Sequence, residues 1–122
     1  MNKRVLILDD DDDILNILSI LLLENGYEIQ TLSSGENIFQ EIKEFAPDLV
    51  VMDVMLADMD GRKICRELKS SYDTKTLPVI LISGTHDLAN SLNQQGAPND
   101  FVAKPFDLDY FLNKVALQFA AK

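Results

Sequence analysis

A chain of 122 residues, 47% hydrophobic and 25% charged, has the makings of one ordinary domain, and no apolar run in it approaches a membrane span. Its formal net charge of -9 would be repelled by a phosphate backbone, so direct nucleic-acid binding is not expected, and metal ions or basic protein surfaces suit it better. The single cysteine, Cys65, excludes an internal disulfide, and the short apolar run after Arg4 does not make a secretory leader, which together fit a reducing cytoplasm.

Arg4 to Leu8 reads RVLIL, an apolar run without alternation, as expected of a strand buried on both faces. Asp11 to Asp13 offer capping side chains and first-turn negative charge to a helix over Ile14 to Leu23, which Gly26 ends. Nearly all of this helix is apolar. Ile14, Ile17, Leu18 and Leu21 are assigned to the sheet, leaving Leu15 and Leu22 to one side. Tyr27 to Leu32 is a second strand, and Ile38, Phe39, Ile42 and Phe45 mark a helix that Pro47 breaks. A third buried strand, DLVVM, covers Asp48 to Met52. A helix over Gly61 to Ser71 follows, with Ile64, Cys65 and Leu68 on one face. Leu77 to Ile82 is a fourth strand, Asp87 to Gln95 a short polar helix, and Phe101 to Ala103 the end of a fifth strand. Leu108, Phe111, Leu112, Val115 and Phe119 define a final amphipathic helix capped by Asp107. The alternation predicts a single domain over 1–122 of the α/β class, a doubly wound five-stranded parallel sheet with helices on both faces.

In such a sheet ligands bind beyond the carboxyl ends of the strands. The polar residues expected there are Asp9 and Asp10 after the first strand, Asp53 after the third, Ser83 after the fourth and Lys104 after the fifth. Taken alone, an aspartate run is an ordinary solvated helix start. Converging carboxylates, however, repel unless a cation joins them, and an all-oxygen donor set suits a hard ion such as Mg²⁺. A carboxylate beside Mg²⁺ can attack phosphorus, and Lys104 and the Ser83 hydroxyl are available to hold the transferring phosphoryl oxygens.

VLILDDD at 5–11, LVVMDVMLADMDG at 49–61, PVILISG at 78–84 and AKPF at 103–106 together resemble the receiver domains of bacterial response regulators, over essentially the whole chain. The resemblance implies a flavodoxin-like fold with strand order 2-1-3-4-5 and a phosphorelay function. Asp53 becomes the phospho-acceptor, receiving its phosphoryl group from a sensor histidine kinase or histidine phosphotransfer protein. Asp9 and Asp10 match the acidic pair that holds Mg²⁺ (or Mn²⁺), with Asp10 preferred as direct ligand and with Asp53 and the backbone carbonyl of Met55 completing the metal set. Ser83 and Phe101 match the hydroxyl and aromatic switch residues, and Lys104 the lysine that contacts the phosphoryl group. The Lys104–Pro105 bond is expected to be cis. The chain departs from the family pattern at Ala57 and Gly84, in a shorter stretch from Ser83 to Gly96, and at Phe101, which lacks a tyrosine hydroxyl.

Other readings make different demands. A haloacid-dehalogenase-like phosphatase would use Asp9 and Asp11, and a phosphorylation-independent binding module would need none of the five site residues. An EF-hand loop over Leu56 to Glu67 fails at its first position, because Leu56 cannot coordinate calcium. The lone His86 lacks a second metal ligand.

Overall fold

The computed structural model describes residues 2–56, 59–84, 96–104 and 106–120. Strands β1 (Arg4–Leu8), β2 (Glu28–Leu32), β3 (Leu49–Asp53), β4 (Val79–Ser83) and β5 (Asp100–Ala103) form one parallel sheet in the order β2-β1-β3-β4-β5. Four helices accompany it among the described residues: α1 (Asp12–Glu24), α2 (Ile38–Phe45), α3 (Gly61–Ser70) and α4 (Leu108–Ala120). The polar helix expected over Asp87 to Gln95, His86 and the Lys104–Pro105 bond lie outside the described residues.

The continuous apolar runs become the inner strands because both sheet faces are covered. β3 and β4 are buried at every position, whereas the edge strands β2 and β5 are mostly half-buried. Successive side chains alternate between the faces. Leu6, Leu8, Val50, Met52, Val79 and Leu81 pack with Ile38 and Ile42 of α2 and with Ile64, Cys65 and Leu68 of α3. Val5, Ile7, Val51, Ile80, Ile82 and Val102 meet Leu15, Leu18 and Leu22 of α1 and Phe111 and Val115 of α4 on the other side. Cys65 is a core side chain, and burial pushes its thiol up to about 11.

α1 is rotated from the expected orientation. Its buried stripe is Leu15, Leu18 and Leu22, while Ile17 is 47% exposed and Leu15 only 7%. Ile14 and Leu21 still pack, partly buried, against the same core, so the buried stripe is shifted toward Leu15 and Leu22 by less than one residue position, at the expense of Ile17. An apolar circumference does not select one stripe by hydrophobicity. The helix start at Asp11, whose side chain accepts from the Asp13 and Ile14 N–H groups, is one local determinant of the phase.

Candidate functional site

The parallel register brings the carboxyl ends of the inner strands to one rim. Leu8 is paired with Met52, and Met52 with Leu81, so Asp9 emerges beside Asp53. Asp53 itself ends β3, opposite Ile82, with Ser83 one residue further along β4. The Lys104 N–H donates to the Ser83 carbonyl at 2.7 Å, which fixes the lysine just past β5. Four of the expected residues thus meet through backbone pairing alone. Asp10 follows on the exposed side, and one carboxylate oxygen from each of Asp9, Asp10 and Asp53 falls within a 4.8 Å cluster.

Asp9 and Asp53 are buried and Asp10 is exposed. One oxygen of each buried carboxylate is held by backbone: Asp9 Oδ1 accepts from the Asp11 N–H and Asp53 Oδ1 from the Met55 N–H, both at 2.9 Å. The second oxygens differ. Asp53 Oδ2 accepts from Lys104 Nζ at 2.6 Å, a short charge-assisted bond. Among the described residues Asp9 Oδ2 is buried without a hydrogen-bond partner, and the same ammonium stands 4.0 Å away. Burial, followed by the neighbouring charge of Asp53, raises the Asp9 carboxyl to about 6, although the Asp11 N–H and Lys104 oppose that rise. Burial alone would lower the Lys104 pKa, but its hydrogen bond to Asp53 and the surrounding carboxylates outweigh that effect and raise it.

An orphaned buried carboxylate oxygen beside two further carboxylates fits a hard divalent cation, since every donor is oxygen and one ammonium does not satisfy all three. Asp11 is differently engaged. Its Oδ1 caps α1 through the Asp13 N–H at 2.9 Å, which removes it from the paired-aspartate role that a haloacid-dehalogenase-like phosphatase requires. Asp60 likewise caps α3 through the Arg62 N–H at 2.8 Å, and Leu56, the first position of the EF-hand reading, is buried and apolar.

Ser83 is fully buried at the end of β4. Phe101 is half-buried, paired in register with Leu81, and packs against the α2–α3 side of the core. One positioning residue is visible only in three dimensions. A Cβ on Gly61 would lie 2.3 Å from the Asp53 carbonyl oxygen, so only glycine lets the start of α3 back onto the backbone of Asp53. The Gly61 N–H also donates to the Val54 carbonyl at 2.8 Å. The adjacent Met-Asp-Gly at 59–61 is the sequence signal, but nothing in it specifies that contact.

Residues 5–116 match the response regulator receiver domain family. The chain is 31% identical over 107 residues to the alkaline phosphatase synthesis transcriptional regulatory protein PhoP of Bacillus subtilis, an alignment covering 87% of this chain and 44% of that protein. It is similar in structure to a response regulator of Chloroflexus aurantiacus (TM-score 0.88, 31% identity, 98% of this chain and 99% of that one). The response regulator TrrA of Thermotoga maritima, in complex with Mg²⁺ and BeF, is also similar (TM-score 0.83, 28% identity, 95% of this chain and 98% of that one). The chain spans 44%, 17% and 46% of the length of three curated relatives that it matches.

Proposed function

The chain belongs to the response regulator receiver domain family, and from that premise we propose that Asp53 accepts a phosphoryl group in a reaction that requires Mg²⁺. The observation that carries this reading is the pairing of Lys104 Nζ with Asp53 Oδ2 at 2.6 Å, next to the unpartnered Oδ2 of Asp9. The one ammonium offsets only part of the charge of the three clustered carboxylates.

In this reading Asp9 and Asp10 hold the metal, with the Met55 carbonyl as a further ligand. When bound, Mg²⁺ supplies positive charge to the phosphoryl oxygens. Asp53 is the nucleophile: a carboxylate oxygen forms the new bond to phosphorus as the bond to the donor breaks. The donor is a phosphohistidine of a histidine kinase or phosphotransfer protein, and the electron pair leaves with its imidazole nitrogen. The Met55 N–H keeps the acceptor carboxylate oriented through Oδ1. Lys104 needs only a small adjustment to move from the carboxylate to the incoming phosphoryl oxygens. Its backbone pairing to Ser83, together with Phe101 three residues upstream, gives the site a covalent and hydrogen-bonded route into β4 and β5. The protein modifies itself and stays modified until hydrolysis, which is the behaviour of a switch.

Incubation with acetyl phosphate and Mg²⁺, followed by intact mass measurement, tests the assignment. The expected result is one added phosphoryl group that is lost in Asp53→Asn. An adduct that persists in Asp53→Asn would place the acceptor elsewhere.

A further inference from the structure

Positive charge is unevenly placed on this acidic chain. Four of its 11 lysines and arginines, namely Arg62, Lys63, Arg66 and Lys69, lie in the 10 residues of α3, which holds one carboxylate, Glu67. Their situations differ. Arg62 is neutralised by Asp60 at 2.8 Å. Lys69 is turned partly inward, donating to the Leu77 carbonyl at 2.8 Å and to Asn99 Oδ1 at 2.6 Å. Lys63 and Arg66 are exposed, and among the described residues neither enters an ion pair.

Lys63 and Arg66 are three residues apart, neighbours on one helix flank. With Glu67, Lys69, Ser70 and Gly96 they line an open pocket of about 520 Å³. The backbone at Gly96, at φ 79, runs against the root of Arg66: an added Cβ would lie 3.0 Å from Arg66 Cγ. Gly96 thus runs close along the stem of Arg66, an exposed residue, which lowers the ordering cost of a planar, carboxylate-matched donor fork.

We propose that this flank of α3 docks a carboxylate-rich segment of a partner protein. Charge complementarity selects the occupant and its orientation. With a net charge of -9 and exposed Asp10 to Asp13 at the rim, the rest of the surface disfavours such a segment. A nucleic acid is a poorer fit, because two cations beside Glu67 offer little to a continuous phosphate backbone approaching an acidic protein. The inference does not depend on the phospho-acceptor reading, because none of these side chains belongs to the Asp53 site.

The test is fluorescence anisotropy of a labelled glutamate-rich peptide of about eight residues, titrated with the full chain at roughly 50 mM salt, where surface charges are weakly screened. Saturable binding is expected, weakened at least about tenfold in Lys63→Glu/Arg66→Glu and a few-fold in Lys63→Ala/Arg66→Ala. Lys43→Glu/Lys75→Glu, a control away from this pocket with the same change in net charge, should weaken binding far less than the α3 reversal does. Both altered positions are exposed, and acyl phosphate formation at Asp53 should be unchanged, which separates failed docking from a failed fold or a failed acceptor site. Absence of saturable binding, or binding indifferent to the α3 reversal, overturns the proposal. Tighter binding of a single-stranded oligonucleotide of equal charge also overturns it, in favour of a nucleic-acid surface.

Discussion

Replacing Asp9 by Asn should make the metal-free protein more stable at neutral pH. The Asp9 carboxyl titrates at about 6 rather than 3.8, chiefly because it is buried and because Asp53 is beside it. That difference corresponds to about 3 kcal/mol of penalty on the ionised form, and about 2 kcal/mol is a fair expectation once relaxation is allowed. A carboxyl whose folded pKa is raised contributes stability that is complete below 3.8 and lost as pH rises through about 6. At pH 7.5 the wild type has lost this contribution. Asparagine retains it, because a neutral amide can still accept the Asp11 N–H through its oxygen and present a donor where Oδ2 stood. With a urea dependence of about 1–3 kcal/mol per M, the midpoint in EDTA should rise by roughly 1 M. The gain should shrink as pH falls and vanish near pH 4. Added Mg²⁺ should reverse the order by stabilising the wild type and hardly affecting the variant. A metal-free Asp9→Asn protein no more stable than the wild type at pH 7.5, or equally stabilised by Mg²⁺, would refute the reasoning.

Three further outcomes follow from the same geometry. Gly61→Ala should cost about 2–4 kcal/mol and slow acyl phosphate formation, because its Cβ meets the Asp53 carbonyl at 2.3 Å; urea midpoints and phosphorylation rates report both, and unchanged values would discount that contact. Lys104→Met should lower metal-free stability by about 1–3 kcal/mol, since it leaves Asp9 and Asp53 without their shared cation, yet tighten Mg²⁺ binding measured calorimetrically; weaker Mg²⁺ binding would contradict this account. Ile17 is 47% exposed and, with Lys104, Phe106 and Leu108, borders a groove of about 440 Å³. Ile17→Asp should therefore slow transfer from a phosphohistidine protein by about tenfold or more while sparing transfer from acetyl phosphate, and equal loss with both donors would indicate a damaged site instead.

The fold was legible wherever a residue's role follows from period and position. RVLIL, LVVMD and VILIS are continuous apolar runs because both faces of the inner strands are covered, and that pattern alone indicates a parallel sheet. The site was legible for the same reason: Asp9, Asp53, Ser83 and Lys104 lie at strand ends, where chain order and register decide who meets whom. The orientation of α1 was not. When Ile, Leu and Leu recur all around a helix, hydrophobicity does not choose between Leu15 and Ile17 for the core, and the choice falls to helix docking. Nor could composition reveal Gly61 against the Asp53 carbonyl or the orphaned Asp9 Oδ2, because the first depends on how the β3–α3 loop folds back and the second on how β1, β3 and the residues after β5 come together.

The central claim is a covalent bond between Asp53 and phosphorus that forms only with a divalent cation present. Borohydride reduction of the protein after incubation with acetyl phosphate, followed by peptide mass mapping, reads that bond at residue level, since an acyl phosphate is reduced to the alcohol whereas a free carboxylate is not. With Mg²⁺ the peptide containing Asp53 should carry the reduced residue, and with EDTA it should be unmodified. Reduction mapped to Asp9, Asp10 or another carboxylate, or equal labelling in EDTA, would contradict the account.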